Sequence, residues 1–159
     1  MSLTASLTFS LTATEAGAGG GGKQEDKVSI TAVPTLAYGT TDEKVDVLYH
    51  DDIEVADEVE TLTLTDASLL GRLNAGDADF DGVLRGVCIK SQSTVSGEYC
   101  LITVVNGTEQ NTVYTLHPSG IFFLWAPIDG NNGATVITLD TSGSGKTLTC
   151  DVIILGTSA

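Results

Sequence analysis

Apolar residues in this chain return at every second position, in segment after segment, with turn-forming clusters between the segments. That period belongs to a strand with one face buried and one face wet. The clearest case is the stretch His117 to Leu155. It divides into three expected strands, Gly120 to Ala126, Ala134 to Leu139 and Lys146 to Leu155. In the last of these Leu148, Cys150, Val152 and Ile154 share the inward phase. Ile153 and Leu155 fall on the outward phase, an apolar pair suited to a subunit contact. This third of the chain is expected to form the centre of a β-sandwich onto which earlier strands pack.

The earlier segments follow the same rule. Residues 2–12 alternate Leu3, Ala5, Leu7, Phe9 and Leu11 against serines and threonines. The glycine cluster Gly17 to Gly22 then costs too much entropy to lie inside an element. A strand followed by a slack joint reads either as an arm that pairs with a neighbouring subunit, through Leu3, Leu7 and Phe9, or as a strand returning to its own sheet. Strands are expected at Lys27–Val33, closed by Pro34, at Lys44–Val55 with a kink in the middle, and at Thr61–Thr65. Ala67–Leu73 can make one helical turn. Val83–Lys90 and Tyr99–Val105 are apolar on both faces, which suits interior strands. Asn106-Gly107 is the dipeptide of a two-residue hairpin leading into Thr112–Leu116. The sum is an all-β chain: an antiparallel β-sandwich, jelly-roll-like, of about nine to ten strands with little or no helix. The organisation expected is an N-terminal strand or arm over 1–16, a glycine-rich linker over 17–26 and a sandwich domain over 27–159.

Charge narrows the partners. The net charge is −14, and residues 1–82 hold 16 acids against 4 bases. Such a chain is repelled by nucleic acid and by anionic membranes, so proteins, cations or nothing charged remain as partners, and the plain reading is a solvated acidic surface that keeps the protein soluble. The acids between Asp42 and Asp66 alternate with apolar residues, which makes them the outer face of strands and a guard against edge pairing. No basic, apolar leader pattern opens the sequence, and no apolar run approaches the ~20 residues of a membrane-spanning helix. A soluble protein made in the cytoplasm is the expectation. Cys88, Cys100 and Cys150 are an odd number without regular spacing, and read as small buried hydrophobes. A Cys88–Cys100 bridge stays open.

Four motifs could carry chemistry. Asp77, Asp79 and Asp81 with Gly82 match the first half of a calcium loop, in which alternate carboxylates converge on a hard cation. The second half fails, because Cys88 stands where a bidentate Glu is needed; an acidic turn is the plainer reading, and calcium is the only cofactor considered. Gly143 to Thr147 (GSGKT) mimics the end of a phosphate-binding loop, but Asp140 replaces the required glycine and a strand follows in place of a helix. It reads as a hairpin turn. His50 beside Asp51 and Asp52 could serve a metal or an acid–base pair, though a surface histidine is simpler. Phe122, Phe123, Trp125, Tyr99 and Tyr114 could stack a sugar, but at strand spacing they read more simply as core. No catalytic constellation emerges, so no enzyme is expected.

With these residues in view, the chain resembles small virion structural proteins of tailed bacteriophages. The resemblance rests on SLTFSLTAT near the N-terminus, VDVLYHDDIEV, the segment Gly82 to Ser91, PSGIFFLWAP and the closing DVIILGTSA, Asp151 to Ala159. It implies a β-sandwich without enzymatic activity that assembles on the virion. Capsid decoration (cement) is the first choice, ahead of a head-fibre, neck or tail component. The partners implied are the major capsid protein or other virion proteins and further copies of the chain, most simply a trimer. A carbohydrate-binding adhesion module is the competing class.

Overall fold

The computed structural model describes residues 4–6, 9–16, 25–32, 35–38, 44–45, 47–56, 58–64, 84–106, 112–125 and 134–157. Among them every regular element is a strand: β1 Thr4–Ser6, β2 Phe9–Ala16, β3 Glu25–Ala32, β4 Thr35–Tyr38, β5 Lys44–Val45, β6 Val47–Ala56, β7 Val59–Thr63, β8 Leu84–Ser91, β9 Cys100–Asn106, β10 Thr112–Leu116, β11 Ile121–Trp125, β12 Ala134–Asp140 and β13 Thr147–Gly156. The helical turn considered at Ala67–Leu73 and the glycine cluster at 17–22 lie outside the described residues.

β6 to β13 form two four-stranded antiparallel sheets. One has the order β11-β8-β13-β6 and the other β10-β9-β12-β7. Inward residues of both belong to one apolar cluster, including Val55, Ile89, Ile102, Ile137, Leu139 and Val152. All six are essentially inaccessible to water. Each such side chain contributes about 1.5–3 kcal/mol by leaving water, so the cluster is what holds the two sheets face to face as a β-sandwich.

Alternation explains why the strands sit as they do. Along β13 buried and half-buried positions follow one another without a fault from Leu148 to Gly156. Leu148, Cys150, Val152 and Ile154 face inward, as the sequence predicts. β8 and β9, apolar on both phases, are interior strands as expected, each hydrogen-bonded on both sides. Where β8 meets β13 the register slips: Leu155 faces Gly86, but Gly156 faces Leu84. The slip falls at Arg85, whose side chain is only 2% exposed. A bulge re-aims the side chain at its extra residue, and the apolar look of this segment gave no warning of a buried arginine.

Several expectations change. The aromatic strand Ile121–Trp125 is an edge strand, not part of the centre. In the segment Lys44–Val55 the kink expected in the middle is absent from β6, which runs unbroken from Val47 to Ala56; Val47, Tyr49, Ile53 and Val55 keep a single phase. β10 pairs with β9 from Thr112 opposite Val104 to Leu116 opposite Cys100, and the turn expected at Asn106-Gly107 runs into residues outside the described ones. GSGKT does not close a hairpin, because β12 and β13 belong to opposite sheets and the segment arches from one to the other. The N-terminal alternation is divided: β1 pairs with β4, whereas β2 pairs along its whole length with β3 in a two-stranded ribbon.

Candidate functional site

Among the described residues the sandwich ends in two edges of opposite character. On one side β6 and β7 are the outermost strands of their sheets; on the other, β10 and β11. Between Val47 and Thr63 there are six acids and no lysine or arginine. Between Thr112 and Trp125 there is no charged residue at all. The alternation that builds both edges is the same, and only the residues placed on it differ.

At the acidic edge, carboxylates take even inward-phase positions. Asp51 lies opposite Val152, and Glu60 opposite Leu139, yet both acids are exposed. An inward-phase charge on an outermost strand turns to solvent at the rim and blocks a further strand from adding. At the other edge the inward phase holds Tyr114 and Phe122, whose rings meet with centroids 4.8 Å apart and planes tilted by 48°. This contact links β10 of one sheet to β11 of the other and closes the sandwich at its rim. The outward phase there exposes Val113, Ile121 (63%) and Phe123 (39%).

The outer face of the β11-β8-β13-β6 sheet continues from that edge. Register places Phe123, Cys88, Ile153 and His50 in one row, and Ile121, Lys90, Asp151 and Asp52 in the next. Ile153 and Leu155, the predicted interface pair, are half-buried on this face. The apolar row therefore starts at the charge-free edge and ends at His50. His50 Nε2 lies 2.9 Å from Asp151 Oδ1. The sequence reading paired this histidine with its neighbours Asp51 and Asp52; the structure instead joins it to a residue on the adjacent strand β13. Asp52 accepts a hydrogen bond of 2.7 Å from Gln92 Nε2. Burial pushes the Cys88 thiol up, Asp151 adds to the rise and Lys90 opposes it, so this sulfur is not a ready thiolate.

The remaining motifs fall as follows. Asp77, Asp79 and Asp81 lie outside the described residues, as do Leu3 and Leu7. Phe9 is the first residue of β2, opposite Ala32. Trp125 is the last residue of β11, opposite Gly86. Among the described residues no group of three His, Cys, Asp or Glu side chains is placed to hold a metal. In the arch after β12, Asp140 Oδ1 accepts hydrogen bonds from the Ser142 amide (2.8 Å) and hydroxyl (2.5 Å). The amides of Ser144 and Gly145 both donate to the Thr141 carbonyl. The residue that breaks the phosphate-loop pattern thus organises the turn, and a strand follows at Thr147.

Two features escaped the sequence reading. One is an open, polar cleft of about 390 Å³ at one end of the sandwich, between the loop after β8 and the start of β13. Gln92, Ser93, Thr94, Glu98, Thr147 and Thr149 supply its polar groups, and the Ser93 hydroxyl donates to the Glu98 carboxylate. Only the serine and threonine content of these two segments signals it. The other is that Cys100 and Cys150 belong to one core although their strands lie in opposite sheets. Both fall on the inward phase of strands, but nothing local pairs them. Comparison of the chain with protein-family models, with curated proteins and with solved structures finds no match.

Proposed function

We propose that this protein is a structural component of a bacteriophage virion, in first place a capsid decoration protein that stabilises the shell by protein–protein contact. The observation that carries the reading is the charge-free apolar edge β10–β11 on a chain of net charge −14. Contact surfaces are depleted of charge at their centre and enriched in aromatic residues. This edge, with Phe123, Ile121 and the adjoining Ile153, has that composition, while the acidic edge faces solvent or basic patches of the shell. The sequence resemblance to virion proteins points the same way.

The strand order supports the finer fold reading that goes with it. Within each sheet, strands from the first and second halves of β6–β13 alternate, β6-β13-β8-β11 and β7-β12-β9-β10. Apart from the β9–β10 pair, each successive strand crosses to the other sheet. We read this wiring as a jelly roll, an architecture used by viral capsid and lectin domains. Oligomerisation, as a trimer by resemblance, would use the same apolar surface.

The test is reconstitution. Purified chain is added to phage shells assembled without it, and binding is read by co-sedimentation and shell strength by heat-induced release of packaged DNA. Saturable binding that raises the release temperature is expected. Shells that neither bind the chain nor gain strength would overturn the decoration role.

The polar cleft favours a second reading, an adhesion module for carbohydrate, since hydroxyl, amide and carboxylate groups converge there. Glycan-array binding lost in Glu98→Ala and in Gln92→Ala would replace the first reading with this one.

A further inference from the structure

The register of β1 with β4 carries on into β2 with β3 without a shift: partners run one for one from Thr4 opposite Ala37 to Ala16 opposite Glu25. The two pairs are therefore parts of one long antiparallel hairpin. Its outer part, β2–β3, has eight residues in each strand and spans about 25 Å at the usual rise of a strand. β4 runs parallel with β5, and β5 leads into β6, an outermost strand of the sandwich. Followed back from β4, the hairpin leads away from the sandwich that β6 enters. Among the described residues β2 and β3 pair only with each other. A two-stranded ribbon is marginal in water unless one of its faces is covered.

Register gives this ribbon two unlike faces. Phe9, Leu11 and Ala13 share one with Ala32, Ile30 and Val28, while serine, threonine and charged residues take most of the other. The apolar face ends in two acids directly opposite one another, Glu15 and Asp26. Like charges so placed weaken the pairing, so the place calls for a cation. The outer face of the β11-β8-β13-β6 sheet supplies the complement. Cys88, Ile153 and Leu155 are half-buried there, and Phe123 is exposed. Lys90 stands in the next row, exposed and without an ion pair among the described residues. Its row neighbours Asp151 and Asp52 are held by His50 and Gln92. No disulfide joins the three cysteines; Cys88 lies on this outer face and Cys100 in the core, so the bridge left open by the sequence is not made.

We propose that the β2–β3 ribbon of one chain lies with its apolar face on this sheet face of a second copy, with Glu15 and Asp26 set against Lys90. The arm expected over residues 1–16 is thus a two-stranded arm that includes β3. Each chain supplies a ribbon and a sheet face, so the contact closes into a ring of chains. Charge favours this pairing of surfaces over others. Two chains of net charge −14 repel one another, and the surfaces joined are poor in acids apart from the two that meet Lys90. The acidic strand β6 stays outside the contact, with His50 at its rim.

The experiment uses the full chain, without shells, in sedimentation velocity. A closed oligomer is expected at micromolar concentration. Leu11→Asp combined with Ile30→Asp should raise the dissociation constant about 100-fold while the sandwich still melts cooperatively, and Ile153→Asp should do the same from the other side. The ribbon variant lies outside the sandwich, so it decides the matter even where Ile153→Asp fails to fold. Lys90→Glu should weaken association about tenfold, and adding Glu15→Lys with Asp26→Lys should restore it. In Leu11→Cys a short bis-maleimide should join the new thiol to Cys88 of another chain, giving a cross-linked dimer that is lost in Cys88→Ser. A monomeric native chain, association unmoved by the ribbon variant, a charge swap that restores nothing, or a cross-link within one chain would each overturn the proposal. No shell enters the measurement, so its failure and that of the virion reading are separate results.

Discussion

Two edges of one sandwich, built on the same two-residue period, are finished in opposite ways. β6 and β7 carry acids on both phases, and where Asp51 and Glu60 fall inward they remain exposed at the rim. β10 and β11 carry none, and their inward phase ends in the Tyr114–Phe122 ring contact. An open strand edge invites pairing by any passing chain, and charge is the usual defence. On the proposed reading, the undefended edge of this strongly acidic protein is the one kept for contact. The aromatic edge closes the core through that ring contact, and on the same reading it also offers the surface to bury while the acidic edge faces solvent.

The largest effect should come from removing that closure. Phe122→Ala deletes a ring packed against the core and against Tyr114, and by the usual cost of such truncations should lower stability by about 3 kcal/mol. Glu60→Ala at the equivalent place on the acidic edge should change it by less than about 0.5 kcal/mol. Urea denaturation of both variants makes the comparison. A loss below about 1 kcal/mol for Phe122→Ala would mean that the aromatic edge does not close the sandwich.

Next in size is the loss of contact. Ile121→Lys combined with Phe123→Lys places two charges on side chains that are already exposed. The fold should tolerate them, with the melting curve nearly unmoved, while binding to shells falls about 100-fold, or about 2.7 kcal/mol. Glu54→Lys combined with Glu60→Lys alters the other edge by a still larger charge and should change binding less than about threefold. Equal losses from the two double variants, read by co-sedimentation, would erase the functional distinction between the edges.

How much of this contrast could be read beforehand depends on which information is local. The strands themselves, the inward sets Leu148-Cys150-Val152-Ile154 and Val47-Tyr49, and the interior character of β8 and β9 follow from alternation and from apolarity on both phases. The acids of β6 and β7 are equally visible. Edge position is not, because strand order is decided by pairings between distant segments; so the aromatic strand β11 reads as central when it is outermost. Asp51 interrupts the inward phase of β6 and suggests a kink, whereas at an edge the strand simply continues past it. GSGKT specifies a turn but not whether the flanking strands pair or face each other across the core. His50 finds Asp151 only once β6 lies beside β13 in one sheet, and Cys100 and Cys150 share a core only once the two sheets face each other. The calcium pattern at Asp77, Asp79 and Asp81 gains no structural account.

A smaller effect tests the turn that joins the two strands of the aromatic edge. Between β10 and β11 the chain reverses through His117 to Gly120, with the Gly120 amide donating to the His117 carbonyl at 2.8 Å and Ser119 at φ 58°. A β-carbon at Gly120 would lie 2.7 Å from that carbonyl oxygen. The obstacle is backbone, which cannot swing aside as a side chain could. Gly120→Ala should therefore cost about 2 kcal/mol, measured by chemical denaturation. Hydrogen exchange should quicken in β10 and β11 before it does in β6 and β7. Faster exchange spread evenly over both edges would show that the turn serves the whole sandwich rather than one side.

The smallest effect belongs where the acidic edge meets the sheet face. His50 and Asp151 lie 2.9 Å apart, but their side chains are 47% and 34% exposed. Water and salt screen a pair placed like this, and holding both side chains in one geometry costs entropy, so such contacts rarely exceed about 0.5 kcal/mol. His50→Ala should lie within that limit in thermal melts, and Asp151→Asn with it. Removing Asp151 leaves Lys90 facing an uncharged neighbour across the strand, a change of the same small order. A loss above about 1.5 kcal/mol in His50→Ala would require the pair to be shielded from water. The sheet face beside β6 would then be covered, and the acidic edge would be a second contact surface in place of the solvent-facing one.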